Sequence, residues 1–202
     1  MTTLEKLINE AKRLRELGLS TSQIAKELKL QEDTVRWLLL EEERKRAAAP
    51  PDIFVDWTMV SSNPMRLSLI GEALASLIED GYTTLGMEEP DIIVAVEAEG
   101  APLAAVVSTE LGKPLAILKS VYSGEGHGVS LSPSYPKVDG KKVLLVADVI
   151  GSGALLEKAI NYLESLKVRV VGVAAFVDRS GLERIMGVPV NALVKILPIR
   201  QS

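Results

Sequence analysis

The sequence predicts an α/β chain, a mostly parallel sheet with helices on both faces, preceded by a small all-α domain. Three observations predict it. From Ile92 onward, short apolar runs too brief for helices alternate with segments of helical spacing, the pattern of parallel strands joined by crossover helices. Before residue 47, apolar residues recur instead at three- and four-residue intervals. Between the two lies Ala47-Ala48-Ala49-Pro50-Pro51, where each proline drives its predecessor out of helical backbone. The domains so defined are 1–47 and 53–202, with 48–52 as linker.

Composition narrows the class. With 202 residues, 47% hydrophobic and 25% charged, the chain can bury one domain plus an appendage, or two small domains. It has no cysteine, which excludes disulfides and thiolate metal sites. No apolar stretch approaches the roughly 20 residues of a membrane span, and the opening MTTLEKLINE is acidic and amphipathic, unlike a signal peptide. A cytoplasmic protein with no membrane partner is expected. The net charge of -4 argues against a broad electrostatic coat for nucleic acid but leaves room for a single basic helix.

Taken in order, Leu4, Leu7, Ile8, Ala11, Leu14 and Leu17 predict a first helix, closed by Gly18. Ser20 and Gln23 form a capping-box pattern that opens a short second helix through Ile24, Ala25 and Leu28, broken at 29–31. A third helix starts at Asp33 and runs into Glu41-Glu42-Glu43-Arg44-Lys45-Arg46, a solvated ion-paired surface. The spacing of Ile24, Ala25, Leu28, Leu30, Val35 and Leu38 resembles a helix-turn-helix, with Ala25 as the small residue and Lys29 where the turn usually carries glycine. The resemblance implies that the third helix enters the major groove of double-stranded DNA. It would offer Gln31, Thr34, Arg36 and Trp37, with Arg36 reading bases and Lys29 or Arg44 on phosphates. Because Glu32 and Asp33 share that turn, an oligomerisation or docking module is the alternative.

In the second domain, 53–57 carries β-formers, and Asn63-Pro64 opens a helix that ends at Gly81. Strands are predicted at 92–96, 115–118, 143–146, 168–176 and 192–196, with helices at 103–111, 154–162 and, briefly, 182–186. Ligands of such sheets sit beyond the strand carboxyl ends. Glu97-Ala98-Glu99-Gly100-Ala101-Pro102, Lys119, Asp148 and Asp178-Arg179-Ser180-Gly181 gather there. The third of these places is the most telling. Asp148 leaves the strand, Gly151 and Gly153 permit positive φ, and backbone N–H groups of the turn and following helix converge on one point suited to phosphate.

That stretch resembles the phosphoribosyl pyrophosphate (PRPP) signature of type I phosphoribosyltransferases. Asp148 matches the second acid, and Ser152 and Gly153 match the second Thr and the Gly. Ala147 replaces the first acid, and Gly151 the first Thr. The resemblance covers about 54–197 and implies that fold, with Asp148, Val149, Ile150, Gly151, Ser152, Gly153 and Ala154 holding the 5′-phosphate and ribose. Glu97, Ala98, Glu99 and Gly100 resemble the pyrophosphate loop, Lys119 the basic residue beyond the next strand, and Asp178-Arg179 the pair on the base side, with Arg179 as candidate. PRPP would bring Mg²⁺, shared with Asp148.

The polar segment from Ser120 to Gly140 resembles the family's mobile catalytic loop. It keeps Lys119, His127 and Gly128, lacks the inner lysine and inserts Gly124-Glu125-Gly126. No catalytic residue is assigned; Lys119 and His127 are the candidates if the chain is an enzyme. A helix-turn-helix fused to a phosphoribosyltransferase-like domain with thinned catalytic motifs resembles archaeal regulators of glucose and fructose catabolism, whose sensor domain is similar to orotate phosphoribosyltransferase. The resemblance implies a homodimeric transcriptional regulator that senses PRPP or a related phosphorylated metabolite. The alternative is an orotate or purine phosphoribosyltransferase.

Overall fold

A computed structural model describes residues 3–40, 52–123 and 126–197. The chain divides into two compact units, Met1–Met59 and Val60–Ser202. Residues 41–51, which hold most of the expected linker, the 41–46 surface and Arg44, lie outside the described residues.

The first unit holds α1 (Thr3–Glu16), α2 (Thr21–Glu27) and α3 (Glu32–Leu39) around a core of Ala11, Leu14, Ile24, Ala25, Val35 and Leu38. α1 ends at Gly18, φ 88°, as the sequence predicts. The capping box of α2 is formed: Gln23 N–H donates to Ser20 Oγ at 3.3 Å, and Ser20 N–H donates to Gln23 Oε1 at 2.8 Å. α2 closes on Lys29 itself, in left-handed backbone at φ 53°. Lys29 N–H reaches Lys26 O and Leu30 N–H reaches Ala25 O, the paired bonds of a Schellman stop. The turn without glycine is thus made, at the cost of about 1–2 kcal/mol for a left-handed residue with a side chain.

The strand expected at 53–57 is absent. β-formers need a ladder partner, and this segment lies in no sheet; it runs from Asp52 to α4 (Thr58–Ser61).

In the second unit, α5 (Pro64–Thr84) is capped by Asn63, whose Oδ1 accepts from Met65 N–H and Arg66 N–H. There follow β1 (Ile92–Val96), α6 (Glu97–Glu110), β2 (Leu115–Ser123), β3 (Gly126–Leu131), β4 (Lys142–Ile150), α7 (Ala154–Ser165), β5 (Arg169–Asp178), β6 (Arg184–Ile185) and β7 (Val188–Lys195). The sheet order is β3-β2-β1-β4-β5-β7-β6. The pairings β1 to β2, β1 to β4, β4 to β5 and β5 to β7 are parallel, and the two edge strands are antiparallel. β1 is buried along its whole length and β4 at every residue after Lys142, so the sheet's centre is core on both faces. The chain leaves β1 towards β2 and returns on the other side at β4. That order makes the β1–β4 crevice the topological switch point, where ligands of such sheets bind.

Three further expectations are corrected. The first part of the long loop expected at 120–140 is a hairpin: β2 continues to Ser123 and pairs with β3, which ends at Leu131, in the register Lys119↔Ser130 to Ser123↔Gly126. The helix at 182–186 is instead the β6–β7 hairpin, because Met186 and Gly187 both have positive φ (51° and 83°) and make a two-residue turn closed by Ile185↔Val188. The helix after β1 starts at Glu97 rather than 103. No helix among the described residues is long and apolar enough to cross a membrane.

Candidate functional site

The site is built at the carboxyl ends of β1 and β4, from two strand-to-helix junctions of different construction. At the β4 junction the strand runs two residues past Asp148, which is 3% exposed and so belongs to the strand rather than leaving it. Of the two glycines, only Gly153 takes left-handed backbone, at φ 86°. Gly151 has no positive φ, and a Cβ built there meets nothing within 4 Å. α7 begins with Glu157 N–H donating to Gly153 O at 3.0 Å, which leaves the N–H groups of its first turn directed at the opening. Ser152 is exposed, and its Oγ accepts from Ala154 N–H at 3.4 Å. The turn can therefore receive an anionic oxygen cluster.

At the β1 junction there is no connecting turn. Glu97 alone changes the chain's direction, in left-handed backbone at φ 63°, a costly conformation for a residue with a side chain. Its Oε1 accepts from Ser120 N–H at 2.9 Å and from Ser120 Oγ at 2.5 Å, so the root of the β2–β3 hairpin holds it in place. One turn on, Gly100 lies against β4: a Cβ there would stand 2.9 Å from Val146 O and 3.3 Å from Ala147 Cα. That contact brings Glu97, Ala98, Glu99 and Gly100 beside Asp148, with Ala98 and Glu99 exposed.

Lys119 is exposed on β2. His127 stands opposite Tyr122 in the hairpin, its side chain outside what is described. Asp178 pairs with Ile150 in the β5–β4 register and is 1% exposed. Its Oδ1 accepts from Ser180 N–H at 2.7 Å and Ser180 Oγ at 2.6 Å, while Oδ2 is buried without a hydrogen-bond partner. Arg179, half-buried, donates its N–H to Ile150 O at 2.9 Å and so adjoins the turn. These strand ends bring four acids (Glu97, Glu99, Asp148, Asp178) against two cations (Lys119, Arg179). Among the described residues no group of three or more His, Cys, Asp or Glu could hold a metal ion.

In the first unit, Gln31 and Arg36 are exposed on α3. Arg36 Nη1 lies 3.3 Å from Asp33 Oδ1 and Nη2 3.9 Å from Glu32 Oε2. Trp37 is half-buried on the helical core, and Lys29 half-buried in its turn. Thr34 departs from expectation: it is 8% exposed, with its hydroxyl buried, and faces inward, because it shares the helix face of Val35 and Leu38. Sequence reasoning missed Lys12 and Arg15 of α1, which line an open cleft with Thr21 and Arg36; helical periodicity marks them as exposed but not as neighbours of α3. It also missed Asp52, whose Oδ2 accepts from Gln31 N–H at 2.7 Å and whose Oδ1 accepts from Ile53 N–H at 2.8 Å.

The geometry has the form of a phosphoribosyltransferase, and residues 56–184 match the family described as phosphoribosyl transferase domain. The orotate phosphoribosyltransferase of Aeropyrum pernix superposes with a TM-score of 0.57 over 78% of this chain and 84% of that one, at 23% identity. The adenine phosphoribosyltransferase of Thermoanaerobacter pseudethanolicus gives 0.58 over 75% and 92%, at 19%. These likenesses concern the fold. Similarity along the whole chain is to proteins called transcriptional regulator GfcR. That of Methanothrix thermoacetophila is 37% identical over 98% of this chain and 100% of its own, and that of Methanocorpusculum labreanum 38% over 97% and 98%. The chain belongs to the GfcR family of archaeal transcriptional regulators, and its second unit has the type I phosphoribosyltransferase fold.

Proposed function

We propose that the chain is a transcriptional regulator that binds double-stranded DNA through its three N-terminal helices and senses PRPP or a related phosphorylated metabolite in its phosphoribosyltransferase-like unit. The observation that carries this reading is the match to the named regulators over 97–98% of the chain, which takes in the helices as well as the sheet. The described placement supports Gln31 and Arg36 as base-side residues on an exposed face of α3, with Lys29 and Trp37 at its margin. Lys12 and Arg15 would join Arg36 at the phosphate backbone.

In the second unit, the 5′-phosphate would lie on Gly151, Ser152, Gly153 and Ala154, with Asp148, Val149 and Ile150 as the strand beneath. Glu97, Ala98, Glu99 and Gly100 would flank a diphosphate near Lys119, and Arg179 would face the base side. The turn fits a phosphate, since Gly153 is left-handed and buried and Gly151 is open. Mg²⁺ would arrive with the ligand's diphosphate, whose charge it would offset, and Asp148 would share it. The excess of acids over cations favours sensing over transfer, which needs cations placed on a leaving diphosphate. The protein would act in the cytoplasm as a homodimer whose two helical units meet the half-sites of a palindrome. In this reading residues 1–47 would serve DNA, 48–52 would be the linker and 53–202 would serve the effector.

Selection of duplexes from a random pool at physiological salt, with and without PRPP and Mg²⁺, tests the reading. The expected outcome is an enriched palindromic site whose recovery changes with ligand. No enrichment, together with pyrophosphate release from PRPP that Asp148→Asn abolishes, would replace it with a transferase.

A further inference from the structure

The starts of α2 and α3 differ in where their caps come from. α2 is closed by its own residues, Ser20 and Gln23. α3 has no such device: Gln31 makes no side-chain cap, and the residue three further on is the inward-facing Thr34. The backbone N–H of Gln31 is met instead by Asp52, 21 residues later, and the same carboxylate binds Ile53 N–H. One side chain thus ties the head of α3 to the irregular segment that leads out of the helical unit.

That segment continues by short links. Asp56 accepts from Thr58 N–H at 3.1 Å, and bonds from the Thr58 hydroxyl and N–H hold the Asp56 carboxyl below the usual range. α4 follows, then α5, capped by Asn63. In the second unit α5 crosses α6 at Gly71, where a Cβ would fall 2.5 Å from Val106 Cβ, so the two helices meet with no slack. The first turn of α6 is the Glu97–Gly100 part of the proposed ligand site. Were ligand to shift that turn, the shift would reach α5 by contact and Asp52 only along the connecting chain.

We infer that Asp52 is the positioning residue for α3 through which ligand in the second unit changes DNA affinity. The inference rests on the DNA-binding and effector reading above. Occupancy of the α6 turn would alter the tension on residues 52–57 and favour or release the Asp52 to Gln31 bond, so that the two ligand states present α3 differently.

The test measures binding of the selected duplex by the full chain, with and without PRPP and Mg²⁺, alongside calorimetric affinity for PRPP and Mg²⁺. Three forms are compared: the unsubstituted chain, Asp52→Ala, and a chain with two glycines inserted between Trp57 and Thr58, which keeps the Asp52 bonds but slackens the connection. Allosteric coupling commonly changes affinity about 5- to 150-fold. The unsubstituted chain is expected to show a ligand-dependent change in that range, and both altered chains less than about twofold, with PRPP affinity unchanged in all three. A merely structural role for Asp52 would lower DNA affinity in Asp52→Ala but leave the ratio with and without ligand intact, and would leave the glycine insertion at the unsubstituted ratio. Retention of that ratio in the insertion chain overturns the inference even if Asp52→Ala fails to fold. Absence of any ligand effect in the unsubstituted chain overturns the effector reading and the inference together.

Discussion

The two junctions at the switch point turn the chain from strand to helix by opposite means. After β4 three small residues intervene and the left-handed position is a glycine; after β1 nothing intervenes and the left-handed position is Glu97. A glycine takes that backbone without strain, whereas a glutamate must be held there, and the two Ser120 bonds hold it. The difference teaches that the β4 junction is shaped to leave space for a ligand, while the β1 junction is tied to β4 and the hairpin, so that a shift there is carried along α6. Substitutions at the two junctions should therefore fail differently: at β1 by loss of stability, at β4 by loss of binding.

The largest effect is expected at Gly100. Its Cβ would press on Val146 O and Ala147 Cα, which are backbone atoms of the central strand and cannot turn aside as a side chain can. Gly100→Ala should cost about 3 kcal/mol, the upper end for overpacking because backbone must move, and a net cost of about 2 kcal/mol remains after roughly 1 kcal/mol of better helix propensity. A lowered midpoint in urea unfolding, at unchanged slope, checks it.

Gly153→Ala comes next. Its Cβ would make only ordinary contact with Ile185 Cδ1, 3.4 Å away, so the cost is the left-handed backbone, about 1–2 kcal/mol. Phosphate or PRPP binding, measured by calorimetry, should fall by at least tenfold, because relief of that strain moves the N–H groups of α7. A loss of stability without loss of binding would remove the distinction between the junctions.

Much of this was legible in the residues, and the rest was hidden for identifiable reasons. β1 and the middle of β4 read as strands because both their faces are buried and the runs are apolar throughout. The capping box of α2 and the asparagine cap of α5 were legible because each lies within three residues of what it caps. The two hairpins were not, since their pairing is decided across strands and their turns lack the Asn-Gly or Asp-Gly signal; Met186 takes positive φ that its side chain gives no reason to expect. Glu97 was legible as a site residue but not as the first residue of a helix, because nothing local reports the support from Ser120, 23 positions on. Asp52 was invisible as a cap for the same reason of distance, and Thr34 was misplaced because a helix position one residue from Val35 can face either way.

Ser120→Ala addresses the β1 junction from its supporting side. Glu97 keeps the Ser120 N–H and loses the hydroxyl, so the stability change should be about 0.5–1.5 kcal/mol. Faster hydrogen exchange should be confined to the Glu97 turn and to β2 and β3. Equal loosening at 151–156 would mean that the junctions are one cooperative element rather than two.

The smallest effect on stability, and the sharpest on the comparison, is expected from Gly151→Thr. This residue has no positive φ and no atom within 4 Å of its Cβ, so the change should shift stability by no more than about 0.5 kcal/mol either way. The glycine is therefore not required by the fold, in contrast to Gly153 two residues on. Threonine would add a hydroxyl donor at the mouth of the turn, and one hydrogen bond to a charged oxygen is worth roughly 1.5–3 kcal/mol, or about ten- to a hundredfold in affinity. Calorimetry with PRPP and Mg²⁺ should show tighter binding at unchanged melting temperature. A large destabilisation would mean that the turn is closed, and unchanged binding that the phosphate does not lie on it. Either result would leave the β4 junction no more specialised for a ligand than the β1 junction across the crevice.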